Sequence, residues 1–77
     1  MLVPLYGFLR GDTIGLLVLA DSDDTMAEVA DSLQRAAQVR VPPRPGLRVW
    51  VHGQALDPGL TVAKAGLAPL DRIDVAP

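Results

Sequence analysis

The 77-residue sequence contains no cysteine, a single histidine and only one residue each of tryptophan, tyrosine and phenylalanine. The absence of cysteine excludes disulfide bonds, thiolate catalysis and cysteine-ligated zinc or iron–sulfur sites. His52 has no second histidine with which to share a metal ion. Without disulfide bonds, the stability of so short a chain must come from packing or from assembly with other chains.

Positive charge is also scarce, with seven lysine and arginine residues against nine aspartate and glutamate residues and a net charge of −2. This balance argues against nucleic acid as a main partner. The charges are nevertheless segregated, since residues 21–31 are rich in acid and residues 35–52 carry only basic charges. Two solvated faces of opposite sign are the simpler interpretation, and a patch that steers a partner is the alternative.

Long hydrophobic runs are missing as well. No segment reaches the roughly 18–20 apolar residues that a membrane span requires, and Met1-Leu2-Val3-Pro4 lacks the basic start of a signal peptide. We therefore expect a cytoplasmic protein without membrane contacts. The length predicts a single domain over residues 1–77. A mean hydropathy of +0.27 predicts either a dense core or apolar surface that a partner covers.

The first half of the chain predicts a hairpin followed by a helix. Residues 3–10 and 14–20 are apolar runs separated by Gly11-Asp12-Thr13, which is typical of a β-hairpin. Residues 16–19 are apolar on both faces, as in a central strand or in a strand partly covered by another subunit. Thr25 has capping-box spacing to Glu28, although Asp24 is an alternative cap. The predicted buried stripe of the helix is Met26, Val29, Ala30, Leu33 and Ala37.

The second half predicts short strands and one helical turn. Three prolines in residues 41–46 end the helix before position 41. The period of two after this loop places Val49 and its alternate neighbours inward and Trp50 outward. The remaining predicted elements are a tight turn at Gly53-Gln54, a returning strand at Ala55-Leu56, a helical turn from Thr61 to Gly66, and a last strand with Ile73 and Val75 inward.

Three of these segments resemble ubiquitin: Asp24-Thr25-Met26 with Val29, Gly53-Gln54 with Leu56, and Thr61-Val62 with Gly66-Leu67. The resemblance implies an α+β, β-grasp (ubiquitin-like) fold, in which a mixed four- to five-stranded sheet packs on one helix plus a short helical turn. Ubiquitin-like modifiers end in an exposed Gly-Gly, whereas this sequence ends Asp74-Val75-Ala76-Pro77. We therefore expect no covalent conjugation.

No residue set in the sequence predicts catalysis, cofactor binding or a metal site. The acidic cluster at Asp21, Asp23 and Asp24 lacks the glycine and the distal glutamate of a calcium loop, so helix capping explains it better. Trp50 is the strongest candidate for partner contact, because an outward indole among basic residues is typical of interface hot spots. The alternative is an indole lying flat on the sheet under a stacked arginine. The predicted partner-binding residues are Arg44, Arg48, Trp50 and His52.

Nearly the whole chain resembles a more specific family, the small gamma subunit, or system protein B, of bacterial toluene and related alkene or aromatic monooxygenases. The matching pieces are Val3-Pro4-Leu5, Gly11-Asp12, Leu17-Val18 with Asp21, Asp24-Thr25-Met26, Val29-Ala30, Arg40-Val41-Pro42-Pro43-Arg44-Pro45-Gly46, the run from Thr61 to Pro69, and Ile73-Asp74-Val75. The resemblance implies a non-catalytic subunit that docks on a hydroxylase alpha subunit. The diiron centre is then expected in that alpha subunit, with no cofactor in this chain. The alternative is a free-standing ubiquitin-like adaptor, such as a β-grasp protein associated with type VII secretion.

Overall fold

Five strands and two helices follow one another along the chain in the computed structural model, which describes residues 1–77. The elements are β1 (Leu2–Leu9), β2 (Gly15–Asp21), α1 (Met26–Ala37), β3 (Arg48–Val51), β4 (Gln54–Ala55), α2 (Val62–Ala65) and β5 (Arg72–Ala76). The strands form one sheet in the order β2-β1-β5-β3-β4, in which β1 and β5 are parallel and the other pairs antiparallel. This mixed five-stranded sheet with one long helix is the predicted arrangement.

The predicted hairpin forms, and its register runs without a bulge from Leu2 opposite Asp21 to Phe8 opposite Gly15. Strand β2 lies at the edge of the sheet. The central-strand interpretation of residues 16–19 is therefore wrong, because β2 pairs only with β1. Because β2 is an edge strand with apolar residues on both faces, the remaining interpretation is a strand that another subunit partly covers.

Helix α1 begins with a complete capping box. The Thr25 hydroxyl accepts from the Glu28 backbone N–H at 3.2 Å, and the Glu28 carboxylate accepts from the Thr25 N–H at 3.1 Å. Thr25 is thus the cap, while the Asp24 carboxylate accepts from the Asp21 N–H at 2.8 Å. The predicted apolar stripe is confirmed, since all five of its residues are buried against the sheet.

A glycine in β1 brings the helix close to the sheet. A Cβ atom added at Gly7 would lie 3.0 Å from a methyl carbon of Leu33. The close approach of α1 to β1 therefore requires a residue without a side chain at position 7. The core between helix and sheet also contains Val49, Ile73 and Val75, each predicted to point inward and each at most 1% exposed.

The turn between β3 and β4 differs from the prediction by one residue. Val51 pairs with Gln54, which leaves His52 and Gly53 as the loop, with φ angles of 52° and 77°. Two positive φ angles match the twist of a two-residue hairpin. The predicted turn at Gly53-Gln54 and the strand at Ala55-Leu56 are therefore wrong in register. The cap of α2 at Thr61 and its end at Gly66, with φ 71°, are confirmed.

Candidate docking surface

The sheet face opposite α1 carries exposed apolar side chains at its β1–β2 side. Because side chains alternate along a strand, the residues that do not face the helix point outward. Four of them form what we call the outer-face patch, with exposed fractions of 59% for Leu2, 45% for Tyr6, 57% for Leu17 and 64% for Leu19. Tyr6 lies opposite Leu17, so the patch extends across both strands. Exposed apolar side chains grouped on one face make it a candidate interaction site.

An aromatic pair joins the patch to the neighbouring part of the outer face. The rings of Tyr6 and Phe8 meet edge to face with centroids 4.8 Å apart. Gly15 makes room for them, because a Cβ atom at this position would lie 2.8 Å from atoms of both rings. The Arg72 guanidinium lies 4.1 Å from the centroid of Phe8 and forms an ion pair with Asp74 at 3.1 Å. The border of the patch is therefore ordered before any partner binds.

Trp50 lies on the same outer face, beyond β5, and its side chain is half-buried. Its indole N–H donates to the Ala76 carbonyl at 3.2 Å. The arginine that stacks on an aromatic ring in this face is Arg72 on Phe8, and not an arginine on Trp50. The indole lines an open groove of about 440 Å³, called the tryptophan groove, together with Phe8, Leu9, Arg10, Asp74, Val75, Ala76 and Pro77.

The four predicted partner-binding residues do not form one patch. Arg48 and Trp50 both lie beside β5, opposite Ala76 and Asp74, and the Arg48 guanidinium donates to the Leu56 carbonyl at 3.1 Å. Arg44 lies in the proline-rich loop, and exposed His52 lies in the β3–β4 turn at the other end of β3. Their role in partner binding stays a prediction.

Sequence reasoning did not single out the outer-face patch. The signal was present in the two-sided apolarity of residues 16–19, but pairing with β1 was needed to assign Leu17 and Leu19 to the outer side. Leu2 and Tyr6 carried no signal by themselves. They become part of a surface only because the hairpin places them beside Leu17 and Leu19.

An ion pair that the sequence did not predict joins the β1–β2 loop to the segment after α1. Asp12, in the β1–β2 loop, accepts two hydrogen bonds of 2.9 Å from the Arg40 guanidinium. The Asp12 side chain is only 2% exposed. The hydrogen bond from Arg40 holds the pKa of the Asp12 carboxyl below its usual value, and the same bond raises the pKa of Arg40. The pair thus stays ionised and ties the β1–β2 loop to the segment after α1.

The acidic cluster before α1 serves the local backbone. The Asp21 carboxylate accepts from the Asp23 N–H at 3.1 Å, and this bond is the main cause that lowers the pKa of Asp21. No group of three or more histidine, aspartate or glutamate side chains in the structure is placed to hold a metal ion. Neither helix has the length and apolar character needed to cross a membrane.

Comparison with known proteins identifies the family. A family model described as "Toluene-4-monooxygenase system protein B (TmoB)" matches residues 2–76. The chain belongs to this family. The "Alkene monooxygenase system, oxygenase component subunit gamma" of Xanthobacter autotrophicus (strain Py2) is 33% identical over 82 aligned positions, which cover 96% of this chain and 93% of that protein. The predicted system protein B family, with its gamma-subunit type, is therefore confirmed.

Solved structures agree with the system protein B assignment. A chain in the structure titled "Toluene 4 monooxygenase HD Complex with Inhibitor 4-Bromobenzoate" matches with a TM-score of 0.90 and 32% identity, covering 97% of this chain and 96% of that chain. Caldiarchaeum subterraneum ubiquitin matches with a TM-score of 0.81 and 17% identity, covering 97% and 91% of the two chains. The ubiquitin match concerns the fold alone, and it confirms the predicted β-grasp.

Proposed function

We propose that this chain is a non-catalytic subunit that docks on the alpha subunit of a diiron monooxygenase hydroxylase through the outer-face patch. The observation that carries the proposal is the exposure of Leu17 and Leu19, at 57% and 64%, on an ordered sheet face. Related proteins are named as the gamma subunit of an oxygenase component and as part of a toluene 4-monooxygenase complex. A subunit of such a complex has a partner that can cover this surface.

The side chains available in this chain support a structural role. Its one histidine lies in an exposed turn, where Asp71 and Asp74 line a cavity with it, but no group of three or more such side chains is placed to hold a metal ion. These donors do not fit a diiron centre, which is built from several carboxylates and histidines. The proposal therefore assigns the iron to the alpha subunit and assigns this chain the task of covering and holding alpha-subunit surface. It also assigns the complex to the cytoplasm, which fractionation of expressing cells would test.

The test is co-expression with the hydroxylase alpha and beta subunits, followed by size-exclusion chromatography with mass analysis. The unmodified chain should co-elute stoichiometrically, and the variant Leu17→Lys/Leu19→Lys should not, because a charged side chain in a covered apolar surface loses its hydration. Trp50→Ala should weaken the complex about tenfold or more if the indole is an interface anchor. Circular dichroism should show that each variant is folded.

Val39→Lys is the matched control. Val39 is an apolar residue 83% exposed in the segment after α1, away from the outer face. Its substitution also puts a lysine in place of an exposed apolar side chain, at one position instead of two, and should leave co-elution intact. An unmodified chain that elutes alone as a stable monomer beside correctly folded alpha and beta subunits would contradict the proposal and favour a free-standing adaptor. Iron bound stoichiometrically by the isolated chain would contradict the structural role.

A further inference from the structure

Most arginines of this chain already have partners within it. Arg35, Arg40 and Arg72 form ion pairs with Asp31, Asp12 and Asp74, and the Arg48 guanidinium donates to a backbone carbonyl. Arg10 and Arg44 differ, because both are exposed and neither side chain makes an ion pair or a hydrogen bond. Both are available to a partner without breaking a contact.

These two arginines line the same groove. An open groove of about 460 Å³, called the arginine groove, lies between the β1–β2 loop and the proline-rich loop. It is lined by Arg10, Gly11, Val41, Pro42, Pro43 and Arg44. No acidic residue belongs to this lining, so both charges are uncompensated there. Arg10 also lines the tryptophan groove, so the two grooves meet at this side chain.

Both walls of the arginine groove are held by polar contacts to other parts of the chain. On one side, the Arg44 backbone N–H donates at 2.8 Å to the side-chain oxygen of Gln34, a residue only 9% exposed. On the other side, the Asp12–Arg40 pair holds the β1–β2 loop. Pro42 and Pro43 have fixed φ angles. A partner segment that enters this groove therefore orders little of this chain, which favours binding.

We propose that the arginine groove binds an acidic segment of the partner subunit, with carboxylates pairing to Arg10 and Arg44. The identity of the partner rests on the proposed function, whereas the charge of the segment rests on the groove itself. Guanidinium groups bind carboxylates in bidentate pairs. A protein segment fits better than a nucleic acid, because the net charge of −2 repels a long polyanion.

The test measures binding of the full chain to purified hydroxylase alpha and beta subunits that lack it. The variant Arg10→Glu/Arg44→Glu should raise the dissociation constant by about tenfold or more, and should remove most of the weakening that added salt causes in the unmodified chain. Arg35→Glu/Lys64→Glu is the matched control, since it makes the same change in net charge on the exposed surfaces of α1 and α2. Its dissociation constant should stay within about twofold of the unmodified value.

The outcomes separate this inference from the proposed function. If the unmodified chain does not bind, the proposed function fails. If it binds and the two double variants bind equally well, with each confirmed as folded by circular dichroism, the inference about the arginine groove is overturned while the proposed function stands.

A cross-linking experiment identifies the occupant directly. A photoreactive amino acid in place of Pro43 should cross-link, in the assembled complex, to a partner segment that carries at least two aspartate or glutamate residues. A cross-link to a segment without carboxylates, or to a second copy of this chain, would overturn the proposal. Saturable binding of a 20-nucleotide oligonucleotide that Arg10→Glu/Arg44→Glu abolishes would also overturn it, because the groove would then accept phosphates.

Discussion

At the scale of single residues, Asp12 shows how one charge organises a loop. Its carboxylate is shielded from solvent and accepts both hydrogen bonds from Arg40. Because the folded state holds the pKa of Asp12 below 3.8, the unfolded chain binds a proton more readily. The pair therefore contributes stability in full above about pH 4, and this contribution is lost as the pH falls through the lower pKa of the folded state.

We expect Asp12→Asn to lower the thermal unfolding temperature near neutral pH. The difference from the unmodified chain should narrow below about pH 4, because a protonated aspartate no longer carries the charge that Arg40 binds. Thermal unfolding followed by circular dichroism from about pH 7 to pH 2 measures this difference. Asp31→Asn is the control, since its pair with Arg35 is exposed on both sides and should contribute little. A difference that stays constant down to the lowest pH would show that shape, and not charge, matters at Asp12.

Trp50 shows what the sequence can and cannot predict about one residue. The alternation of residues 48–51 was enough to place its side chain on the face away from Val49. The hydrogen bond to Ala76 and the half-buried position were not predictable, because they depend on β5 lying next to β3. The alternation of apolar and polar residues predicts which face of the sheet a side chain lies on. Its neighbours on that face are known only from the order of the strands.

At the scale of elements, α1 was the most predictable part of the chain. Its cap, its apolar stripe and its proline stop are local signals, and each is read within a few residues. The position of the β3–β4 turn was less predictable, because His52 and Gly53 both take positive φ angles there. Residues other than glycine are uncommon at positive φ, so the sequence favoured a turn that began at the glycine.

We expect Leu33→Ala to reduce the free energy of unfolding by roughly 2–4 kcal/mol, because it removes a fully buried side chain and leaves a cavity. Leu33 lies over Gly7, which has no side chain of its own to fill the space. Urea denaturation at low temperature measures the change. Arg35→Ala on the exposed side of the same helix is the control and should change the free energy of unfolding by less than about 0.5 kcal/mol. Equal losses in the two variants would contradict the assigned packing of α1.

At the scale of the whole molecule, the fold gathers features that the sequence shows as separate. The outer-face patch lies on β1 and β2, while the arginine groove and the tryptophan groove share Arg10 near the end of β1. The family resemblance predicted a partner without predicting this arrangement. Arg10 was not among the predicted partner-binding residues, because its place in both grooves depends on the proline-rich loop lying beside it.

We expect the isolated chain to self-associate reversibly, because the outer-face patch is exposed when no partner is present to cover it. Sedimentation velocity over about 10 to 200 µM should show an average mass that rises with concentration. Leu17→Lys/Leu19→Lys should stay monomeric over the same range, while Val39→Lys should behave like the unmodified chain. A chain that is monomeric at every concentration would show that the patch does not drive association by itself.

The two edges of the sheet are unequal in length, and this limits a second kind of association, in which copies pair strand to strand. Strand β2 offers a free edge seven residues long, with no charge before Asp21, whereas β4 at the opposite edge is only two residues long. Pairing of two copies along β2 would use the long edge of both, and the joined sheet would end in β4 on each side. Such a dimer has no edge long enough to recruit a third copy as a continuing ladder. The two-residue strand β4 therefore protects the isolated subunit against fibre growth by strand pairing.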